Sequence, residues 1–291
     1  MSAPQGPSGP TSPLAPPGPT DVDERFDRPL AGSGWTAAYL PAWSSRAAAA
    51  ATYRTGPDGL HLTVPPEHPV WCPDLHEPPL RVSAVQSGSW SGPVGSTQGQ
   101  QPFRPGLRVQ EEQPPTWAWT PLFGHLEVTC RATVGPGSMF SAWLVGVEDV
   151  PERSGEICLV EVFGDTTRPG TGGHSGHSGH SEHIGPTVAL GQGVHPFRDP
   201  ALREDFAAPH TALDLARPHT YAADWGPDGV TFTVDGAVTR HVPRAPDYPV
   251  QLILGVFDFP DLPHTAASPA VPELVVHRVR GTAPAPDGGD G

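Results

Sequence analysis

The chain of 291 residues contains no lysine and no asparagine. Without asparagine it has no acceptor for N-linked glycosylation. All 17 basic residues are arginines and they face 31 acidic residues, which gives a net charge of −14. That charge has the wrong sign for attraction to nucleic acid or anionic lipid. We therefore expect neither nucleic acid nor a membrane as a partner, and we expect a monomer.

Cysteine is also scarce. Cys72, Cys130 and Cys158 are too few for a disulfide framework, and their odd number suits a reducing environment with at most one bridge. Apolar runs such as residues 250–256 are far shorter than the roughly 20 residues that a membrane-spanning helix needs. The N-terminus lacks the basic segment and apolar run of a secretory signal. The sequence thus predicts a soluble chain and leaves its compartment open.

Proline and glycine, in contrast, are abundant, with 40 and 34 residues. Proline removes a helix hydrogen bond and glycine loosens the backbone, so interruptions this dense exclude a helical bundle. Residues 1–24 and 282–291 are rich in both and lack hydrophobic periodicity, which predicts disordered tails. Between them, residues 25–281 are expected to form one domain.

Short apolar or alternating runs between glycine and proline signals predict strands within this domain. These runs are residues 60–64, 126–133, 140–147, 156–163, 230–234, 250–257 and 274–279. Asp235-Gly236 separates two such runs and is typical of a hairpin turn. Only residues 47–53 suggest a helical turn. The most economical architecture is all-β, a sandwich of two antiparallel sheets.

A histidine tract, GGHSGHSGHSEH, occupies residues 172–183. Its histidines recur every three residues, at His174, His177, His180 and His183. Such tracts can bind metal, but a flexible loop loses entropy when it gathers its imidazoles, and no cysteine or carboxylate cluster completes a site. We expect a solvated loop, with adventitious or weak metal binding as the alternative. No cofactor is predicted, and only a structural calcium ion is left open.

Residues 154–164, SGEICLVEVFG, place two glutamates in an apolar strand, which is costly unless they have partners or a function. In a regular strand Glu161 would point away from Glu156, but one β-bulge around Leu159 and Val160 would return it to the same face. Their backbones would then lie on the order of 13 Å apart, at ~3.3 Å per residue. Long side chains that lean together over Cys158 could approach the ~5–5.5 Å carboxyl separation of a retaining glycosidase.

The hexapeptide EICLVE resembles the E-I-D-I-x-E signature of glycoside hydrolase family 16, the β-glucanase and laminarinase group. Flanking segments resemble other blocks of that family in the same order: FGHLEV at 123–128, GSMFSAWL at 137–144, HTYAADWGPDGVTFTVDG at 219–236 and YPVQLIL at 248–254. The resemblance covers about residues 25–281. It implies a concanavalin A-like jelly-roll sandwich with a sugar-binding cleft over its concave sheet, and it suggests an extracellular enzyme.

The resemblance also implies roles for individual residues. Glu156 takes the place of the nucleophile and Glu161 that of the general acid/base in a double displacement. Trp143 matches a tryptophan whose face would contact a pyranose. Cys158 replaces the middle aspartate, and a neutral thiol supplies no negative charge between the glutamates. Met139 stands in place of another family tryptophan.

Further sugar contacts are expected from a polar stretch at 83–104 and from one aromatic residue of the 219–236 block. Amide and aromatic groups together suit neutral polyols. The candidates are Gln86, Trp90, Gln101 and Trp225, with packing or loop anchoring as the alternative for each.

Three functions remain open from sequence. The first is a retaining, endo-β-glucanase-like hydrolase or transglycosylase acting on a β-linked polysaccharide such as a β-1,3- or mixed β-1,3/1,4-glucan. The second is a non-catalytic glycan-binding protein on the same sandwich, because Cys158 could abolish turnover and leave the cleft intact. The third is a metal-associated protein in which the histidine tract is the functional element.

Overall fold

The structure is a computed structural model that describes residues 21–170, 185–265, 268–269 and 271–283. The predicted metal-binding histidines, residues 1–20 of the predicted N-terminal tail and residues 284–291 of the C-terminal one lie outside these ranges.

The described part of the chain is built from strands with two short 3₁₀ turns, Pro41–Trp43 and Gly164–Thr166. The first strands are β1 (Val22–Glu24), β2 (Thr52–Gly56), β3 (Gly59–Thr63), β4 (Arg81–Gln86), β5 (Gly88–Ser89), β6 (Thr116–Trp117), β7 (Gly124–Thr133), β8 (Ser138–Gly146) and β9 (Glu156–Phe163). The remaining strands are β10 (Thr187–Ala189), β11 (Gly191–His195), β12 (Asp205–Ala207), β13 (His210–Ala212), β14 (His219–Gly226), β15 (Gly229–Val234), β16 (Ala237–Val242), β17 (Val250–Asp258) and β18 (Glu273–Thr282).

Two antiparallel sheets form the sandwich. One has the order β16-β15-β14-β7-β18-β3-β2, with β1 also paired to β18, and the other has the order β12-β11-β9-β8-β17-β4. Each predicted strand segment falls on an observed strand, and the expected all-β jelly roll is confirmed.

Turn residues explain where the chain reverses. Asp235 and Gly236 both have positive φ, 49° and 81°, and join β15 to β16 as a two-residue hairpin. This is the geometry that an Asp-Gly pair favours. The two Pro-Asp-Gly sequences end at Gly59 and Gly229, each with φ 111°, and each closes a hairpin.

Three local expectations need correction. Val22–Glu24, placed by sequence in the N-terminal tail, pair with β18 as strand β1, because β3 leaves that side of residues 279–281 free. Thr282, placed in the C-terminal tail, is the last residue of β18. Residues 47–53 form no helix: residues 46–49 are a turn, Ala50 bridges to Ala38, and β2 starts at Thr52. The alanine run is compatible with a helix, but pairing with distant residues of the same chain, such as Ala50 with Ala38, determines the conformation.

The main core lies between the two sheets. β8, β9 and β17 contribute their inward side chains to it, among them Phe140, Ile157 and Leu254, which pack against residues such as Tyr221 and Phe232 of the opposite sheet.

A second hydrophobic layer covers part of the other face of the six-stranded sheet. It contains alternate side chains of β4, β17 and β8, together with residues of the loops that cross over them. We call it the covering layer, and its principal members are Leu40, Trp43, Trp71, Cys72, Leu80, Val82, Ala84, Leu107, Val109, Met139, Trp143, Val145, Ile253 and Phe257. One face of this sheet therefore packs on the sandwich core, and the other is covered over β4 and β17 but not over β9.

All three cysteines are buried and free, so the optional bridge at Cys72 is not formed. Among the described residues, no helix has the length and apolar character required to span a bilayer.

Candidate active site

Strand β9 carries one residue more than both of its neighbours at its centre. On the β8 side Val160 pairs with Ala142 and Cys158 with Trp143, so Leu159 has no partner of its own. On the β11 side the register shifts between Gly191 and Gly193, opposite the same place. Leu159 and Val160 both face the core. The predicted bulge is present, and it returns the later glutamate to the face of the earlier one.

Glu156 and Glu161 consequently line one cavity of about 710 Å³ over the six-stranded sheet. Both side chains are half-buried, whereas Cys158 between them is buried beneath the surface of the cavity. Cleft-facing residues of β8, among them Ser141 and Trp143, complete its floor.

Burial raises the pKa of both carboxyl groups. The pKa of Glu156 rises to about 8 because the group loses solvent and faces Glu161, although a hydrogen bond from Gln101 opposes the rise. Loss of solvent also raises the pKa of Glu161, but nearby His195 lowers it. Both acids face one cavity, and double ionisation of the two is disfavoured because their charges are alike.

Cys158 is a neutral member of this group. Burial raises the pKa of its thiol well above the usual value, and the two neighbouring glutamates raise it further. Its interaction with Ser141 has the opposite effect. The side chain therefore adds no charge between the carboxylates, as the sequence comparison with the aspartate-containing motif indicated.

An ion pair between buried Glu148 and exposed Arg198 holds the wall beside Glu156. Glu148 has positive φ (58°), bonds Arg198, and accepts a 2.6 Å hydrogen bond from the backbone N–H of Gln101. The Nε2 group of Gln101 then donates to Glu156 at 3.3 Å. Burial raises the pKa of Glu148 to about 8, although Arg198 opposes the rise. Glu148 and Arg198 were not predicted as site residues, because an acid after a strand and an arginine in a loop carry no sequence signal of their pairing.

Two polar atoms at the cavity have no partner among the described residues. Trp143 is only 5% exposed and lines the cavity, and its Nε1 donor is unpaired. The Oε1 acceptor of Gln101 is also buried and unpaired. Unpaired buried groups are costly and rare, but both atoms lie below the accessible surface of the cavity wall.

Three of the expected sugar-binding residues lie elsewhere. Trp90 is buried and its indole donates to the carbonyl of Val147. Gln86 is buried and accepts from the backbone N–H of Leu40 at 2.7 Å. Trp225 belongs to the opposite sheet and donates to Pro246. All three are anchors or packing residues, because their polar groups are already satisfied inside the protein.

The cavity also has walls that the sequence did not indicate. Three separate loops contribute Tyr39, Trp71, His76 and Phe103 to these walls. His195, the last residue of β11, and Phe197, two residues further on, complete them. Long-range loop packing brings them together, and no local spacing in the sequence announces it. Met139, in place of a family tryptophan, lines the same cavity.

The described residues contain no cluster of three or more metal-ligating side chains. The histidine tract lies outside them, so its expected metal binding stays a prediction, as does the option of a structural calcium ion.

Two carboxyl groups that face one cavity are the arrangement that most glycoside hydrolases use. A model of glycosyl hydrolases family 16 matches residues 118–263, and the chain belongs to this family. No curated protein matches the sequence.

Solved structures share the fold at low identity. The GlcNAcα1-4Gal-releasing endo-β-galactosidase from Clostridium perfringens has a TM-score of 0.69 and 22% identity over 94% of this chain. This chain spans only 64% of that enzyme's length. The Bacillus licheniformis β-glucanase has a TM-score of 0.53 at 15% identity, covering 91% of this chain and 98% of its own. A Crh5 transglycosylase has a TM-score of 0.51 at 18% identity, over 92% and 85% of the two chains.

Proposed function

We propose that the protein is a retaining glycoside hydrolase that cleaves a β-linked glycan by double displacement. The observation that carries this proposal is the convergence of Glu156 and Glu161 on one cavity through the bulge at Leu159. The family of the chain and the glycosidases that share its fold support it.

In the first step an ionised carboxylate oxygen of Glu156 attacks the anomeric carbon. The glycosidic C–O bond breaks as the Glu161 carboxyl gives its proton to the leaving oxygen, and a glycosyl ester remains on Glu156. In the second step Glu161, now ionised, takes a proton from water. The water oxygen attacks the same carbon and the ester bond breaks, which restores both side chains and retains the anomeric configuration.

The resting proton distribution bears on this mechanism. Burial raises the pKa of both carboxyl groups, to about 8 for Glu156, whereas the reaction uses Glu156 in its ionised form and Glu161 in its protonated form. The active form of the enzyme is therefore the pair with one proton, carried by Glu161.

Substrate contacts come from the walls of the cavity, where the ring of Trp143 and the amide of Gln101 suit a sugar. The arginine at the cavity, Arg198, is already bonded to Glu148, and two further acids line the cavity. A neutral or weakly charged glycan fits such a site better than a polyanion.

The test is to incubate the protein with laminarin, lichenan, agarose and xyloglucan and to measure new reducing ends. We expect turnover with the wild type and a loss of at least about 10³-fold in Glu156→Gln and Glu161→Gln, because each removes a group that acts in the transition state. A Glu112→Gln variant, at an exposed position, is the control for loss of one charge. Glycan binding without turnover in all variants would instead identify a glycan-binding protein, as Cys158 allows.

A further inference from the structure

The covering layer closes the cleft at one end. Across the six-stranded sheet, a cleft open along its whole width would pass over β11, β9, β8, β17 and β4 in turn. Of the cleft-facing side chains of β4 and β17, Val82, Ala84 and Ile253 are buried under loop residues, whereas Phe257 is buried but lines the cavity. A sugar chain therefore cannot continue past the ring of Phe257 towards β4.

Hydrogen bonds fix this cover to the sheet and to itself. The backbone N–H of Leu40 donates to the buried side chain of Gln86 at 2.7 Å, and the indole of Trp71 donates to the carbonyl of Tyr39 at 3.0 Å. The indole of Trp43 donates to the carbonyl of Gln100 at 2.7 Å. The cover is thus a packed and hydrogen-bonded layer.

A cluster of rings forms the end wall where the cover meets the cavity. Trp71, His76 and Phe103 contact one another edge to face, with centroids 5.0 to 5.2 Å apart. Tyr39 packs on Trp71 at 4.9 Å and on Phe257 at 5.6 Å. All of these rings line the cavity.

The other sides of the cavity are exposed to solvent. Phe197, which follows β11, is 59% exposed, and Phe163, at the end of β9, is 38% exposed. Phe163 stacks on Phe259 with centroids 6.0 Å apart and an interplanar angle of 20°. The cavity volume of about 710 Å³ lies within the range of ~300–1,000 Å³ that holds one compact ligand.

We propose that this site takes the end of a glycan chain and cleaves off a short oligosaccharide of fixed length, and that the ring wall of Trp71, His76 and Phe103 sets that length. This inference rests on the proposed function, and it departs from the endo-acting mode that the family resemblance suggested. The covering layer and the ring wall close the cavity towards β4, so a bound glycan cannot extend in that direction.

The first test measures the size of the products over time. Its substrate is whichever of laminarin, lichenan, agarose and xyloglucan the wild type cleaves. We expect one short product to dominate from the earliest time points, with little loss of viscosity for each new reducing end. Early products of many lengths with a rapid fall in viscosity would overturn the inference while leaving the proposed hydrolysis intact.

The second test needs no turnover. Glu156→Gln is titrated by calorimetry with oligosaccharides of increasing length prepared from the same four polysaccharides. The affinity should increase with the length of the oligosaccharide and reach a plateau once the sugar fills the closed cavity. In the Glu156→Gln background, Phe103→Ala should move this plateau to longer oligosaccharides by about one sugar unit, because it opens the wall.

Phe197→Ala in the same background is the matched control. It removes an aromatic ring from the open side, so it should weaken binding without moving the plateau. A plateau that is absent in Glu156→Gln, or unmoved by Phe103→Ala in a variant with unchanged melting temperature, would overturn the inference. If neither turnover nor binding occurs with any of these glycans, the proposed function itself fails.

Discussion

Cys158 separates the two glutamates and is the residue at which the site departs most clearly from the E-x-D pattern. Replacing it with aspartate would place a third acid beside two carboxyl groups whose pKa values are already raised. A negative charge there stabilises the protonated forms of Glu156 and Glu161, so the pKa of each should rise. We expect Cys158→Asp to shift both limbs of the pH–rate profile upward by about one pH unit.

Cys158→Asn is the control for this experiment, since it has the shape of aspartate without its charge. The profiles of kcat/KM against pH are compared for the wild type and both variants, with melting temperatures recorded alongside. Equal profiles for the two variants would refute the electrostatic role of position 158. Unfolding of both would identify Cys158 as a packing residue only.

The carboxyl pair also predicts the pH dependence of the wild type. Activity requires exactly one proton on the pair, so kcat/KM should follow a bell-shaped curve. Burial raises the pKa of both carboxyl groups, so the alkaline limb should lie above the usual titration range of a carboxyl group. On that limb the last proton leaves and the rate should fall about tenfold per pH unit. Initial rates between pH 4 and 10 test this, and a rate that stays constant to pH 10 would contradict it.

The sequence motifs predicted some of the residues that line the cavity and missed others. Glu156, Glu161 and Trp143 were found because a bulged strand and an ordered set of blocks place them. Gln101 was found by its chemical type alone. Glu148 was missed, because it reaches the cavity through a turn with positive φ and a partner 50 positions away in sequence. Local patterns do not encode such contacts.

At the scale of elements, strands and their turns were predictable and loops were not. β9 and the hairpin at Asp235-Gly236 follow from alternation, β-branched residues and turn chemistry, all of which are local. The covering layer depends on contacts such as Leu40 with Gln86, which are far apart in sequence. The sequence therefore indicated Gln86 of β4 as a sugar ligand, whereas the structure shows that it anchors a loop.

Gln86 gives a direct test of this anchoring. Gln86→Ala leaves the buried backbone N–H of Leu40 without its acceptor, so we expect a loss of about 1–3 kcal/mol in the free energy of unfolding. Gln98→Ala, at an exposed position in a neighbouring loop, should change stability by less than about 0.5 kcal/mol. Urea unfolding measures both. A stable Gln86→Ala with weakened glycan binding would return Gln86 to the role of a sugar ligand.

At the scale of the whole molecule, the six-stranded sheet carries a hydrophobic layer on each face, and the carboxyl pair occupies the gap in one of them. Placing acids in such a gap costs folding free energy. The pKa of Glu156 is raised from 4.5 to about 8 on folding, so between these values the folded state binds more protons than the unfolded state. Stability linked to this group therefore falls as pH rises from about 4.5 to 8.

Glu156→Gln removes this titration and keeps a side chain of the same size beside Gln101. We expect the variant to melt at the same temperature as the wild type near pH 4.5 and at least about 2 °C higher at pH 8, where the wild type carries the cost of a buried charge. Glu112→Gln removes the same formal charge from an exposed position and controls for the net charge of −14. Thermal unfolding across this pH range gives the differences. If Glu156→Gln is more stable than the wild type at pH 8 and has lost turnover, the protein keeps Glu156 for chemistry at the expense of stability. If the difference in melting temperature between the two proteins does not depend on pH, Glu156 is ionised without a cost to folding.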